Sequence, residues 1–202
     1  MTIYAIVNNL ITDITRPDSS PPVWAIISQS GILQGGNPYF VPDFARRFEA
    51  RLALAIKIGR LGKGIAPRFA HRYVDAAAPC AIFVASDILQ SLQQRGLPWI
   101  SAISYDKCLA IGKFIPSSIA DCNRAEIALT LETSDSSVEY IWKADSIKPG
   151  IEETLASISR DNTIKTGDIL LMGIAGEGPA LTPDLRATLS LNGTESLKFN
   201  IR

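Results

Sequence analysis

Phe48-Glu-Ala-Arg-Leu-Ala-Leu-Ala-Ile-Lys-Ile58 alternates after Arg51, with Leu52, Leu54, Ile56 and Ile58 on one side. Side chains of a strand point to opposite faces in turn, so a period of two predicts a β-strand. Upstream, Ile3 to Val7 and Val23 to Ile27 read as short apolar strands around the breaker cluster Thr15-Arg-Pro-Asp-Ser-Ser-Pro-Pro22. Gly35-Gly-Asn-Pro38 predicts a turn into Tyr39-Phe-Val41. Downstream, Gly59 to Gly64 reads as a loop. Pro67 to Ala78 reads as a helix, with Pro at its start and Phe69, Tyr73 and Ala77 at helical spacing. Cys80 to Val84 follows as a buried strand, and Asp87 is placed to cap a helix that reaches Arg95 and stops at Gly96.

The C-terminal half is richer in strands. Ile127 to Glu132 and Val138 to Trp142 flank the turn Asp135-Ser-Ser137, a hairpin pattern. Ile151 to Ser159 is an amphipathic helix, and Lys165-Thr-Gly-Asp168 turns into the strand Ile169 to Met172. Ala187 to Leu191 and Leu197 to Ile201 are joined through Asn192-Gly193, the residue pair of a type I′ turn. Strands outnumber helices without alternating regularly with them, so the chain reads as α+β and strand-rich, not as a doubly wound parallel sheet.

Composition narrows the function classes. The 202 residues suit one domain, 1–202, with N-terminal strands and a lid-like loop over 1–45 and the core over 46–202. With 47% hydrophobic residues the chain is not intrinsically disordered. Twenty basic and 20 acidic residues give zero formal charge, which argues against a nucleic-acid partner. The longest apolar run, Ala76 to Ala85, is about half of what a membrane helix needs, so no membrane partner is expected. The N-terminus has no basic, cleavable leader, and Cys80, Cys108 and Cys122 form neither a disulfide framework nor, with the single His71, a zinc site. A cytoplasmic protein is the expectation. The residues alone yield no catalytic motif. Gly173 to Gly178 reads as a tight turn, Glu152-Glu153 as a helix start and His71 as a surface residue.

Several motifs nevertheless resemble one family in order along nearly the whole chain. Lys165-Thr-Gly-Asp-Ile-Leu-Leu-Met-Gly173 resembles the "LxxGDxIxTGTPxGVGP" signature of the fumarylacetoacetate hydrolase (FAH) superfamily, with a one-residue gap near Ala175. Gly96-Leu-Pro-Trp99, Arg60-Leu-Gly-Lys63 with Ala70-His-Arg-Tyr73, and Pro38-Tyr-Phe-Val-Pro-Asp43 resemble further family segments, and the relationship is to its acylpyruvase and 2-hydroxyhepta-2,4-diene-1,7-dioate isomerase-like branch. The resemblance implies a mixed β-sheet roll or barrel with a few peripheral helices. It also implies a Mg²⁺ or Mn²⁺ ion on a Glu-x-Glu pair and an Asp, a lysine, and a lid histidine, acting on 2-keto or acylpyruvate substrates.

Carried over residue by residue, that site is lost. The glutamates fall on Arg51 and Ala53, the aspartate on Ile82, the lysine on Ile103 and the lid histidine on Asp13. The arginine of the family's "TARD" is Ser86, and the two threonines of "TGTP" are Met172 and Ile174. A shift of two residues would bring Glu49 onto a ligand position, but it would misplace Arg60-Leu-Gly-Lys63 and leave Ile82 and Ile103 unexplained. The expectation is therefore no catalytic or metal-binding residues, no cofactor, and a catalytically inactive binding or interaction protein. Either Ala53, Ile82, Ile103, Met172 and Ile174 simply fill the old cavity, the favoured reading, or they line an apolar cavity in which Arg51 holds a small carboxylate. The alternative is a metal-dependent hydrolase, decarboxylase or isomerase with rearranged ligands. A homodimer is expected from the family and from the aromatics Trp24, Trp99, Trp142, Tyr39 and Phe40, and an active paralogue is a further candidate partner.

Overall fold

The computed structural model describes residues 1–8 and 21–202. Asp13 and most of the expected lid-like loop lie outside the described residues. In chain order the strands are β1 (Ile3–Ile6), β2 (Trp24–Ile27), β3 (Phe48–Ile58) and β4 (Val74–Ala85), followed by helix α1 (Ser86–Gln94). Strands β5 (Leu109–Ile111) and β6 (Ile115–Pro116), helix α2 (Ile119–Cys122) and the hairpin β7 (Glu126–Glu132) and β8 (Ser137–Lys143) come next. Helix α3 (Ile151–Asp161), β9 (Ile169–Met172), β10 (Leu185–Leu191) and β11 (Thr194–Ile201) complete the fold.

Among the described residues, one sheet runs β2-β1-β9-β3-β4-β5 with β6 attached to β4, and a second runs β11-β10-β7-β8. Only β1 and β9 pair in parallel within this set. The architecture is strand-rich α+β with mixed sheets. The long ladder between β3 and β4, from Phe48 opposite Ala85 to Ile58 opposite Val74, is its spine.

The strand expected at residues 48–58 is present, yet its burial does not alternate. Every residue from Phe48 to Ala81's partner Leu52 and on to Ile56 is buried. Both faces of this strand are covered, as happens in the middle of a sheet enclosed on two sides. Phe83 of β4, in register with Ala50, has its ring 5.8 Å from that of Phe199 on β11. The face of β3 that carries Phe48, Ala50, Leu52 and Leu54 therefore meets the second sheet. Glu49, Arg51 and Ala53 point the other way.

The helix expected over Pro67 to Ala78 is not there. A 3₁₀ helix covers Pro67–Arg72, and strand β4 begins at Val74. Ala76 to Ala85 is buried on both faces, so it carries no alternation to betray a strand, and Pro79 in its middle opposes a helix. Other elements match expectation to within a few residues. Asn192 and Gly193 have φ of 51° and 73°, as a type I′ turn requires. In the Lys165–Asp168 turn, Asp168 is fully buried and its carboxylate accepts the N–H groups of Thr2 at 2.6 Å and Lys165 at 2.8 Å. That aspartate holds β1 to the start of β9 and is a structural residue.

Candidate functional site

On the Glu49 face of β3, beside α1, lies a cleft of roughly 590 Å³ lined by Arg47, Glu49, Arg51, Ser86, Asp87, Leu89, Gln90, Gln93 and Gly176 to Gly178. Each wall follows from local sequence. Glu49 and Arg51 of β3, two residues apart on an alternating strand, face the cleft together, and Arg47 just before the strand joins them. Helix α1 starts directly where β4 ends and carries Ser86, Asp87, Leu89, Gln90 and Gln93. The third wall is the loop after β9. It returns beside β3 through hydrogen bonds from Ala50 N–H to Pro179 O, Leu181 N–H to Phe48 O and Ala175 N–H to Leu52 O. A Cβ on Gly178 would stand 1.9 Å from the Ala50 carbonyl oxygen, so only glycine permits this approach. The close approach keeps Glu177 at the cleft wall.

Three charged residues at the start of β3 form one ion-pair set. Arg51 donates from Nε at 3.3 Å and from Nη2 at 3.1 Å to Glu49 Oε2. Arg47 Nη2 lies 3.0 Å from Glu49 Oε1. The Arg51 and Glu49 side chains are 9% and 8% exposed, whereas that of Arg47 is 63% exposed. Glu49 is thus a buried carboxylate clamped between a buried and an exposed guanidinium. Nearby, Asp87 Oδ2 accepts the Arg46 N–H at 3.0 Å, while its Oδ1 is buried with no hydrogen-bond partner among the described residues. Such an atom is costly unless something donates to it.

The positions implied by the family pattern are distributed unevenly. Arg51 and Ser86 do line the cleft. Ile82 is the direct cross-strand partner of Arg51, and Cys80 that of Ala53, so the two expected ligand strands are adjacent as the resemblance implies. Ala53, Ile82, Ile103, Met172 and Ile174 are each fully buried in the hydrophobic core and do not line the cleft. Met172 pairs with Leu54, which turns it toward the second sheet, away from Arg51. Those aliphatic side chains fill space, the first of the two readings of the cavity, and the open cleft beside Arg51 is polar.

The donor set does not fit a divalent ion. The three expected carboxylate positions hold a guanidinium, a methyl and a branched aliphatic chain, and Glu49, the carboxylate two residues from Arg51, already binds two arginines, while Asp87 and Glu177 line the same cleft without converging on it. Among the described residues, no three His, Cys, Asp or Glu side chains converge as a metal shell. A dication about 4 Å from a guanidinium at an effective dielectric near 20 is opposed by about 8 kcal/mol.

Arg47 and Glu177 line the cleft without being singled out by the sequence, and Glu49, weighed there only as a shifted metal ligand, is instead the partner of two arginines. Glu49 and Arg47 share the parity of Arg51 on a strand, which was the available signal. Glu177 sits in a glycine-rich segment whose position depends on its pairing with β3, which spacing does not disclose.

A family model for the fumarylacetoacetate (FAA) hydrolase C-terminal domain matches residues 7–198. The mitochondrial oxaloacetate tautomerase FAHD1 of Bos taurus is 26% identical over 184 residues, 90% of this chain and 81% of that protein. The mitochondrial oxaloacetate tautomerase oaa1 of Schizosaccharomyces pombe is 26% identical, covering 95% of this chain and 90% of its own. The mitochondrial oxaloacetate decarboxylase of Dictyostelium discoideum is 26% identical over 75% of this chain and 69% of its own. The fumarylpyruvate hydrolase of Pseudomonas aeruginosa, solved with Mn²⁺ and pyruvate, superposes with a TM-score of 0.81 at 17% identity, covering 100% of this chain and 89% of that one. The 5-carboxymethyl-2-hydroxymuconate delta-isomerase of Mycobacterium smegmatis superposes with a TM-score of 0.78 at 17% identity, covering 99% and 78%.

These relatives are named as enzymes, which overturns the expectation of a catalytically inactive binding module. Arg51 is not a lone cation in an apolar pocket but is paired with the buried Glu49 carboxylate. Its motifs, its sheet order and the match over residues 7–198 place this chain in the fumarylacetoacetate hydrolase family.

Proposed function

We propose that this protein interconverts the keto and enol forms of a short 2-keto dicarboxylate of the oxaloacetate class. The observation that carries the reading is the buried Glu49 carboxylate held between Arg47 and Arg51 at the cleft wall. Tautomerisation needs a base beside the carbon next to the keto group and a cation beside the keto oxygen. Glu49 takes the proton as the C–H bond breaks and the electron pair moves to oxygen. Arg51, permanently charged, stabilises the enolate by N–H donation. Glu49 then delivers the proton to that oxygen, so no atom or electron is left over. Arg47, largely exposed, exchanges its Glu49 contact for the substrate carboxylate and leaves Oε1 free to act.

The relatives' names support this choice of substrate class, and tautomerisation asks less of the site than hydrolysis or decarboxylation. The direct test follows the decay of the enol absorbance of oxaloacetate. Acceleration by the wild type and loss of most of it in Glu49→Gln are expected. Carbon dioxide release in step with the decay would instead favour decarboxylation, and no acceleration would end the reading. We propose in addition that the chain forms a homodimer through the free edge of β8.

A further inference from the structure

Building on the tautomerase reading, we propose that Arg51 takes the place of a divalent cation, so that this cleft binds its dicarboxylate ligand without metal. The register puts Arg51 directly opposite Ile82 with Ala53 on the same face, and those are the positions at which the family pattern requires carboxylates. Among the described residues no trio of metal-binding side chains replaces them elsewhere. The solved fumarylpyruvate hydrolase of the same fold holds Mn²⁺ and pyruvate, so the fold can pair a cation with a keto acid. Here a cation is covalently built in.

Geometry suits Arg51 to that task. Glu49 engages Nε and Nη2 through a single oxygen, Oε2, which orients the guanidinium without using all five of its donors. The Nη edge can form the paired hydrogen bonds that a carboxylate or an adjacent enolate oxygen accepts. Burial of Arg51 strengthens those bonds, because little water competes for them. The same guanidinium repels a dication, so metal and ligand cannot both use this corner.

The test uses malonate as the probe, titrated calorimetrically into protein stripped with EDTA and into protein supplemented with Mn²⁺, with Mn²⁺ binding followed by electron paramagnetic resonance. Equal malonate affinity in both samples is expected, with no Mn²⁺ bound at the cleft. Arg51→Gln should weaken malonate by about 10- to 100-fold, the range for loss of a charge-assisted bidentate contact. If Arg51→Gln fails to fold by circular dichroism, Arg51→Lys keeps the charge and should bind more weakly than wild type, still without metal. Malonate binding that requires Mn²⁺, that ignores the Arg51 substitutions, or that is absent altogether overturns the proposal. Metal-free malonate binding by a protein that fails to accelerate enol decay leaves it standing and removes only the tautomerase reading.

Discussion

Glu49 and Arg51 stand two residues apart on one strand, face the same way, and bond at 3.1 Å with side chains only 8% and 9% exposed. A pair buried this deeply is strongly coupled to folding, because removing one partner strands the other charge in a poorly solvated place.

The two deletions are not equivalent. Arg51→Met leaves Glu49 with Arg47 at 3.0 Å, so part of its charge remains compensated. Glu49→Met leaves Arg51 without the one carboxylate it binds among the described residues. Glu49→Met is therefore expected to cost about 3–5 kcal/mol and Arg51→Met distinctly less, with the double variant recovering much of the loss. Urea denaturation of the three variants measures this. Equal losses from both single variants, adding without coupling, would contradict the clamp.

Gly178→Ala tests the close approach of the loop to β3. With 1.9 Å between the added carbon and the Ala50 carbonyl oxygen, the loop must withdraw and its bonds to Ala50 and Leu52 weaken. A destabilisation of about 1–3 kcal/mol is expected, the usual range for overpacking. Enol decay should also slow, since Glu177 and the cleft wall move with the loop. A variant with unchanged melting temperature would show that the loop is not held against the strand.

Much of this fold can be read from sequence wherever one face of an element meets water. The hairpin β7–β8 and the Asn192-Gly193 turn announce themselves through alternation and turn chemistry. Strand β4 does not, because burial on both faces removes the period, and its alanines are helix formers. The site shows the same divide. Arg51 stands out as a charge in an apolar strand, but its partner two residues away looks like ordinary strand punctuation. The Gly176–Gly178 wall depends on the bridge between Ala180 and Glu49, a contact across most of the chain.

Alkaline pH should destabilise the core. Burial pushes the Cys108 thiol from 9.0 up to about 11, and burial raises the Cys80 thiol and the Tyr105 phenol as well. In the folded chain these groups keep their protons above the pH at which the unfolded chain releases them. The unfolded state then binds fewer protons, so stability falls as pH rises. For Cys108 the loss begins near pH 9 and is complete above pH 11, on the order of 1–3 kcal/mol. Cys108→Ser should make this slope shallower by the Cys108 share in urea melts taken between those limits, with Cys80, Cys122 and Tyr105 supplying the remainder. A stability that is level from pH 8 to beyond the raised thiol value would refute it.

The last expectation concerns the edge of the second sheet. Among the described residues, strand β8 is paired only with β7, which leaves its outer backbone groups for a partner. It exposes Val138 by 49%, Tyr140 by 38% and Ile141 by 54%, an unusual amount of apolar surface for a free edge. Of the aromatics first considered for an interface, Tyr39 is in the core, while Phe40 is 60% exposed. The pairing proposed is of two copies of β8 in antiparallel register about Ile141. That register sets Glu139 of each copy opposite Lys143 of the other, two charge pairs flanking an apolar centre. Lys143 also pairs with Glu126 of its own chain at 3.4 Å, but both side chains are well exposed and the contact is easily shared. Sedimentation at low micromolar concentration should give twice the 21.8 kDa chain mass, and Ile141→Lys should shift it to the monomer with little change in circular dichroism. A wild type that sediments as a single 21.8 kDa species would rule out this pairing, and a dimer untouched by Ile141→Lys would move the interface to another face.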